Sequence, residues 1–420
     1  MRHRDFRWFV IGAAAGQFGA QVTLIVLPLV AVFVLHASAF QVSLLTAVET
    51  SAFLLIALPA GVWVDRVRRL PVLIRADVAR ATAMGSVPLA AASGLLTMAQ
   101  LYAVALVTGI ATVFFDIAHQ SCLPRLLRPD QLVAGNGMLE AVRSSAQVAG
   151  PGLGGGLVQL MGAPMAFVAD ALGYLVSALC LRRIRTAEPP PEAASGIRLH
   201  ARVTEALMFI LRNPVLRAIA LTSAVANLFA TMLLSVQTVF LVRVLQLKPG
   251  ALGLVLSTSA LGGLAGALVA GAIARAVGQA RVMWLVTLAT GPFALLWPLA
   301  GRGAAAAWFA LGSGAVSFGA VVYNVAQVSF RQSMCPDHLL GRMNASMRFM
   351  VWGTMPLGGL AGGFAASAAG VRAAVWVCAV GFLLAPIPLL CSPLRRLRDL
   401  PVAQRGDGPP VISGQHPEGC

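Results

Sequence analysis

Long apolar runs, broken by glycine, proline and clustered arginine, recur along the whole chain, and acidic residues rarely enter them. The runs predict helices near residues 8–35, 40–64, 72–94, 100–124, 134–161 and 164–183, then near 215–243, 250–275, 281–301, 304–330, 345–369 and 371–391. A helix that crosses a bilayer needs about 20 mostly apolar residues, and every run reaches that length. The longest interior polar stretch, from about Arg182 to Asn213, divides the twelve runs into two sets of six. Its prolines between Glu188 and Glu192 stop the sixth helix. Beyond them Leu199, Val203, Leu207, Ile210 and Leu211 share one face of a short amphipathic helix, suited to a membrane surface. The pattern therefore predicts four parts: a six-helix bundle over 1–183, a linker over 184–213, a second six-helix bundle over 214–394, and a disordered tail over 395–420.

Composition narrows the class. Of the 420 residues, 58% are hydrophobic and 11% charged, with a mean hydropathy of +0.82. A soluble domain carries about 25% charged residues, so this chain cannot cover itself with polar surface. Low charge with high apolarity is also the reverse of a disordered composition. An all-α, multi-pass membrane protein remains. The arginines that lead into the first run precede a stretch too long for a cleavable signal, so that run is expected to stay as a span. Six cysteines show no CxxC spacing, and neither a disulfide framework nor a metal site is expected.

The net charge of +16 would suggest nucleic acid in a soluble chain. Here its placement has another cause. With the N-terminus in the cytoplasm, 25 of the 31 basic residues fall on that side, among them Arg66, Arg68, Arg69, Arg75 and Arg80. Four fall outside (Arg243, Lys248, Arg302 and Arg372), and Arg143 and Arg348 lie within spans. Cytoplasmic loops are enriched in Lys and Arg, so both termini are expected inside. The partner of the positive charge is then the anionic inner leaflet, with no nucleic acid involved.

Sliding the chain by 210 residues sets Gln17 on Asn227, Gln21 on Thr231, Val34 and Leu35 on Val244 and Leu245, and Gly61 on Gly271. An offset of 205 sets Arg143 on Arg348, each eight residues before a proline. Two similar halves of six spans suggest a transporter whose site lies between the repeats near the midplane.

Two motifs give this a family. Gly61, Asp65, Arg66 and Arg69, between the second and third spans, resemble the cytoplasmic signature of the major facilitator superfamily; Trp63, Arg68 and Leu70 depart from it. In the fifth span Gly137, Ala146, Gly150, Pro151, Gly154 and Gly155 resemble the pattern of that superfamily's antiporters, with Ala146 replacing one glycine. Glu49, the Leu123–Arg125 segment and the run from Pro336 to Arg342 resemble its macrolide, drug and siderophore exporters. An arginine that drug antiporters often carry in the outer part of the fourth span is missing between Leu101 and Gly109. The resemblance covers about residues 5–395. It implies the major facilitator fold and export of a hydrophobic or amphipathic molecule by proton antiport, with an uptake symporter or uncoupled facilitator as the alternative. No cofactor is implied, and a monomer is expected in the cell membrane.

A charge inside a bilayer costs about 2.5–3.5 kcal/mol on insertion scales, so each one needs a partner or a task. Glu49, near mid-depth of the second span, has no Lys or Arg three or four residues away and is the first candidate for proton coupling; Asp116 is the second. Glu140 and Arg143 are spaced to pair on one helix face. Asp170 and Arg348 complete the intramembrane set. Gln17 and Gln21 on the first span, with Asn227 and Thr231 on the seventh, are candidates to line the substrate cavity, where the resemblance places those two spans. Asp65 is expected to latch the cytoplasmic side with its arginines. No paired carboxylates, HExxH, nucleophile elbow or Walker motif appears, so the chain does not read as an enzyme or an ATPase. A receptor role is the remote alternative.

Overall fold

The computed structural model describes residues 3–127, 131–185, 208, 210–334, 347 and 349–397. Its principal helices are α1 (His3–Phe33), α2 (Ala39–Asp65), α3 (Arg69–Ala92), α4 (Met98–Leu126), α5 (Leu132–Met161) and α6 (Ala163–Arg182). They continue as α7 (Pro214–Val239), α8 (Pro249–Val277), α9 (Gln279–Thr290), α10 (Ala307–Met334), α11 (Met355–Ala369) and α12 (Val371–Leu384). Nine helical stretches among the described residues are long and apolar enough to cross a membrane. They are built on α1, α2, α4, α6 to α10 and α12. Three expected spans fall outside those nine for identifiable reasons. Helix α3 carries Arg75, Asp77 and Arg80; α5 is rich in glycine and holds Glu140 and Arg143; α11 is 15 residues long.

Some expected helices are not continuous. The ninth run changes to a 3₁₀ stretch over Gly291–Leu295 before a last helical turn, because Pro292 cannot donate to the helical ladder. A π-helical turn, Phe240–Val244, extends α7. The amphipathic linker helix lies almost wholly outside the described residues, as does the tail beyond residue 397.

The 210-residue repeat reappears in the backbone. Among the described residues, the non-glycine ones with positive φ are His36 (50°) and Gln246 (58°), which the repeat superposes. Leu35 N donates to Val30 O and Leu245 N to Phe240 O; Ala37 N donates to Ala31 O and Leu247 N to Leu241 O. A second pair, offset by 208 residues, is Gly162 and Gly370, each the single residue joining two helices, with φ of 83° and 90°. Only glycine adopts that conformation without steric cost.

Short turns group the loops at two ends. One end is basic, with Arg66, Arg68 and Arg69 between α2 and α3, Arg182, Arg183 and Arg185 after α6, and Arg275 and Arg281 around the α8–α9 turn. The opposite end carries few charges. The largest group of buried apolar side chains draws on both sets of six helices, from Ile25 and Leu29 to Phe240, Trp297 and Phe309. Toward the basic end the buried side chains group within each half: Phe9, Leu73 and Phe115, with a smaller group of Ala52, Ala60 and Val113, in the first, and Leu216, Ile219, Met283 and Phe330 in the second. The two sets thus converge at the weakly charged end.

Candidate functional site

Where the two sets meet, glycines bring helices into backbone contact. On α5, a Cβ added at Gly155 would stand 3.0 Å from the Gly253 Cα of α8. One added at Gly253 would stand 2.5 Å from the Pro151 carbonyl oxygen. Gly152 N donates to Ser257 Oγ at 2.8 Å, and Gly250 N to Gln159 Oε1 at 3.0 Å. Across the other seam, Gly359 and Gly363 of α11 press on Ala47, Ser43 and Phe40 of α2. Ser43 Oγ donates to Ser235 O at 3.3 Å, and Arg243 Nη2 to Ala37 O at 2.6 Å. Close backbone approach lets dispersion and hydrogen bonds hold helices together without an apolar driving force.

Helix α5 has a second small-residue face. Gly150 receives Gln21, and Gly154 receives Val22 and Ile25, all on α1. The strip formed by Ala146, Gly150 and Gly154 therefore docks α5 on α1, while Pro151, Gly152 and Gly155 face α8. Gly137 has open space where a Cβ would stand, and the early part of α5, from Asn136 to Ser145, is largely exposed.

Of the four expected cavity residues, Gln17, Gln21 and Asn227 are half-buried. Asn227 Nδ2 donates to Ser223 O of its own helix at 3.1 Å. Thr231 is 3% exposed, so it does not face an open cavity in this conformation.

A polar cluster lies inside the first six helices. Asp77 and Arg80 of α3 form a buried ion pair, 0% and 4% exposed. Counting basic residues by position groups Arg80 with the loops; it lies in mid-helix, beyond reach of solvent. Its guanidinium carbon sits 4.3 Å from the Phe115 ring centre of α4 and 4.5 Å from that of Tyr174 on α6, a cation held between two π faces. Ser177 lies beside Asp77. Two turns outward from Ser177 on α6 is Asp170, 1% exposed, whose Oδ2 accepts from the Thr23 hydroxyl of α1. Among the described residues Asp170 Oδ1 has no hydrogen-bond partner; it presses on Gly19, where an added Cβ would stand 2.6 Å away. Glu49, half-buried on α2, acts electrostatically on Asp170 and makes no hydrogen bond among the described residues. His119 stacks on Phe9 with ring centres 4.4 Å apart.

Removing one partner of a buried pair strands the other charge, at a cost of about 3–5 kcal/mol. Arg80→Met is therefore expected to lower the melting temperature of the purified protein sharply, and Asp77→Leu with Arg80→Met to recover most of it. Equal melting of Arg80→Met and wild type would show that the pair does not hold the fold.

The profile of the Major Facilitator Superfamily matches residues 9–355. The chain belongs to that superfamily. It is 26% identical over 410 residues to the multidrug efflux pump Tap of Mycolicibacterium fortuitum, covering 94% of this chain and 97% of the pump. It is 28% identical over 398 residues to Tap of Mycobacterium tuberculosis, with 91% and 90% covered. Among solved structures, a bacterial homologue of the iron transporter ferroportin in an inward-facing state superposes with a TM-score of 0.75 at 17% identity, over 93% of this chain and 98% of that one. The nucleoside transporter NupG gives 0.77 at 11% identity, over 92% and 99%. These likenesses establish the major facilitator fold, and the protein is a multi-pass membrane transporter of that superfamily.

The superfamily's other expected residues fall as follows. Gly61 lies in the last turns of α2, and Asp65 closes that helix, its side chain outside the described residues. Arg66 is exposed in the turn, and Arg69 opens α3 with a buried Nε that has no partner among the described residues. Glu140 and Arg143 form a half-exposed pair on α5, at 2.6 and 2.9 Å. Asp116 is half-buried on α4. Arg348, the Pro336–Arg342 run and the side chains of Pro124 and Arg125 lie outside the described residues. The Asp77–Arg80 pair was detectable in the sequence: opposite charges three apart within an apolar run, the spacing that marks Glu140 and Arg143.

Proposed function

We propose that this transporter exports a hydrophobic or amphipathic small molecule from the cytoplasm, by alternating access coupled to proton antiport. The basic end is then cytoplasmic, as are both termini. The observation that carries the reading is the asymmetry of closure. The two halves share one apolar core at the weakly charged end and keep to their own groups at the basic end. That is an inward-facing state, able to take a molecule from the cytoplasm or the inner leaflet. The similar proteins named multidrug efflux pumps support the direction and the substrate class.

In this reading Gln17, Gln21 and Asn227 offer uncharged hydrogen-bonding groups in an apolar wall, which suits a bulky amphiphile better than an inorganic ion or a sugar phosphate. Glu49, half-buried on α2, is the carboxylate that alternates between proton and substrate; Asp116 is next in line. The Gly61–Arg69 turn latches the cytoplasmic side when the protein faces outward.

Comparing retention of a panel of lipophilic compounds in cells with and without the gene tests the direction. Lower retention of at least one compound in expressing cells is expected, and higher retention would indicate uptake. Asp65→Asn keeps the side chain's shape while removing its charge. It is expected to insert normally and to lower efflux at least fivefold in a dye-efflux assay; wild-type efflux would remove Asp65 from the latch.

A further inference from the structure

We propose that Asp170 is a second proton-binding carboxylate, reached through Glu49, whose charge sets how firmly α6 holds α1. This rests on the antiport reading above.

Three observations carry it. Asp170 is buried with no cation of its own, because Arg80 is already paired with Asp77. Its one donor among the described residues comes from another helix, Thr23 of α1, and its second oxygen is left without a partner there. A buried carboxylate oxygen left unpaired is costly; Asp77 Oδ2 is unpaired too among the described residues, but Asp77 has the Arg80 cation against it and Asp170 has none of its own. The third is what α1 touches next. Gln21, Val22 and Ile25, within a turn of Thr23, are the residues seated on Gly150 and Gly154 of α5, and the other face of α5 closes on α8. The hold on α1 at Asp170 therefore reaches the seam between the halves through two helix contacts.

The groups facing Asp170 are few. From α1 come Thr23 and the bare backbone of Gly19; from α3, Asp77 and Arg80; from α6 itself, Tyr174. Glu49 acts from α2. Helix α5 carries Glu140 and Arg143, which are closed on each other and more than half exposed. His119 of α4 lies beyond Arg80, stacked on Phe9. Glu49 is partly exposed and Asp170 is 1% exposed, so Glu49 is the donor. The proton leaves the Glu49 carboxyl, which becomes a carboxylate, and binds Asp170 Oδ1, which becomes neutral. The Thr23 hydroxyl then faces a neutral acid, and a charge-assisted hydrogen bond becomes an ordinary one of about half the strength. Arg80 cannot release a proton and stays as the fixed positive charge beside the site.

Purified protein in liposomes containing pyranine, given an ethidium gradient, reads proton movement and ethidium flux together; exchange of labelled for unlabelled ethidium at equal pH reads substrate passage alone. In the wild type, ethidium flux is expected to drive protons the other way. In Asp170→Asn, protons moved per ethidium should fall at least tenfold while exchange stays within twofold, and Asp170→Glu should restore at least half of the proton flux. A wild-type proton-to-ethidium ratio in Asp170→Asn would overturn the proposal, as would an equal loss of exchange and proton flux, which marks a structural role. If Asp170→Asn does not fold, Thr23→Val decides. It should lower proton-driven ethidium accumulation at least threefold with exchange intact, and unchanged accumulation would overturn the proposal. Wild-type ethidium flux without proton movement would instead sink the antiport reading itself.

Discussion

Gly155→Leu is expected to leave membrane insertion intact and to cut ethidium efflux at least fivefold. The contact that it disrupts lies at the weakly charged end, where the two halves meet. A side chain there would run into the Gly253 Cα, 3.0 Å from the first added carbon. Overpacking a tight contact costs about 1–3 kcal/mol. Each 1.4 kcal/mol is a factor of about ten in a population, so under the proposed alternating access the closed contact would lose roughly five- to 150-fold against states in which α5 and α8 part. Gly154→Leu acts on the other face of α5, against Val22 and Ile25, and should loosen α5 from α1 with a smaller effect on efflux. Membrane content by immunoblot and efflux per protein check both. Efflux by Gly155→Leu above half of wild type would show that the halves do not need this approach.

Glu49→Gln is expected to abolish efflux driven by a pH gradient and to leave passive exchange of ethidium in place. The backbone of Glu49 packs on Gly109 of α4, where an added side chain would strike the Glu49 carbonyl. The helix around it is therefore held in place, and glutamine keeps the volume. What disappears is a group able to gain and lose a charge inside the membrane. Everted vesicles loaded with ethidium at matched and unmatched pH separate the two rates. Gradient-driven transport at the wild-type rate would move the carrier role to Asp116.

The apolar runs and the 210-residue offset carry most of the architecture, because a bilayer fixes helix length and a duplicated half keeps its turns. His36 and Gln246 show how far that goes: neither is glycine, yet both sit at positive φ in matched turns. Contact direction is less legible. Ala146, Gly150 and Gly154 form a visible strip, but whether it faces a neighbour in the same half or the opposite half depends on how α5 is turned, and small residues lie on both of its faces. A tally of basic residues groups Arg80 with the loops because position along the chain says nothing of depth within a helix that starts at Arg69. Its burial becomes visible only with Phe115 and Tyr174, brought from α4 and α6. Gln17 and Asn227 are matched by the repeat and both half-buried, whereas Thr231, matched to Gln21, is turned into the protein.

Proton-coupled export is tested most directly in everted membrane vesicles that contain the wild-type protein, energised to acidify the interior, with ethidium added outside. The account predicts accumulation of ethidium that collapses when nigericin abolishes the pH gradient, and no accumulation in vesicles lacking the protein. Accumulation that survives nigericin, or energised vesicles that lose ethidium, would contradict it.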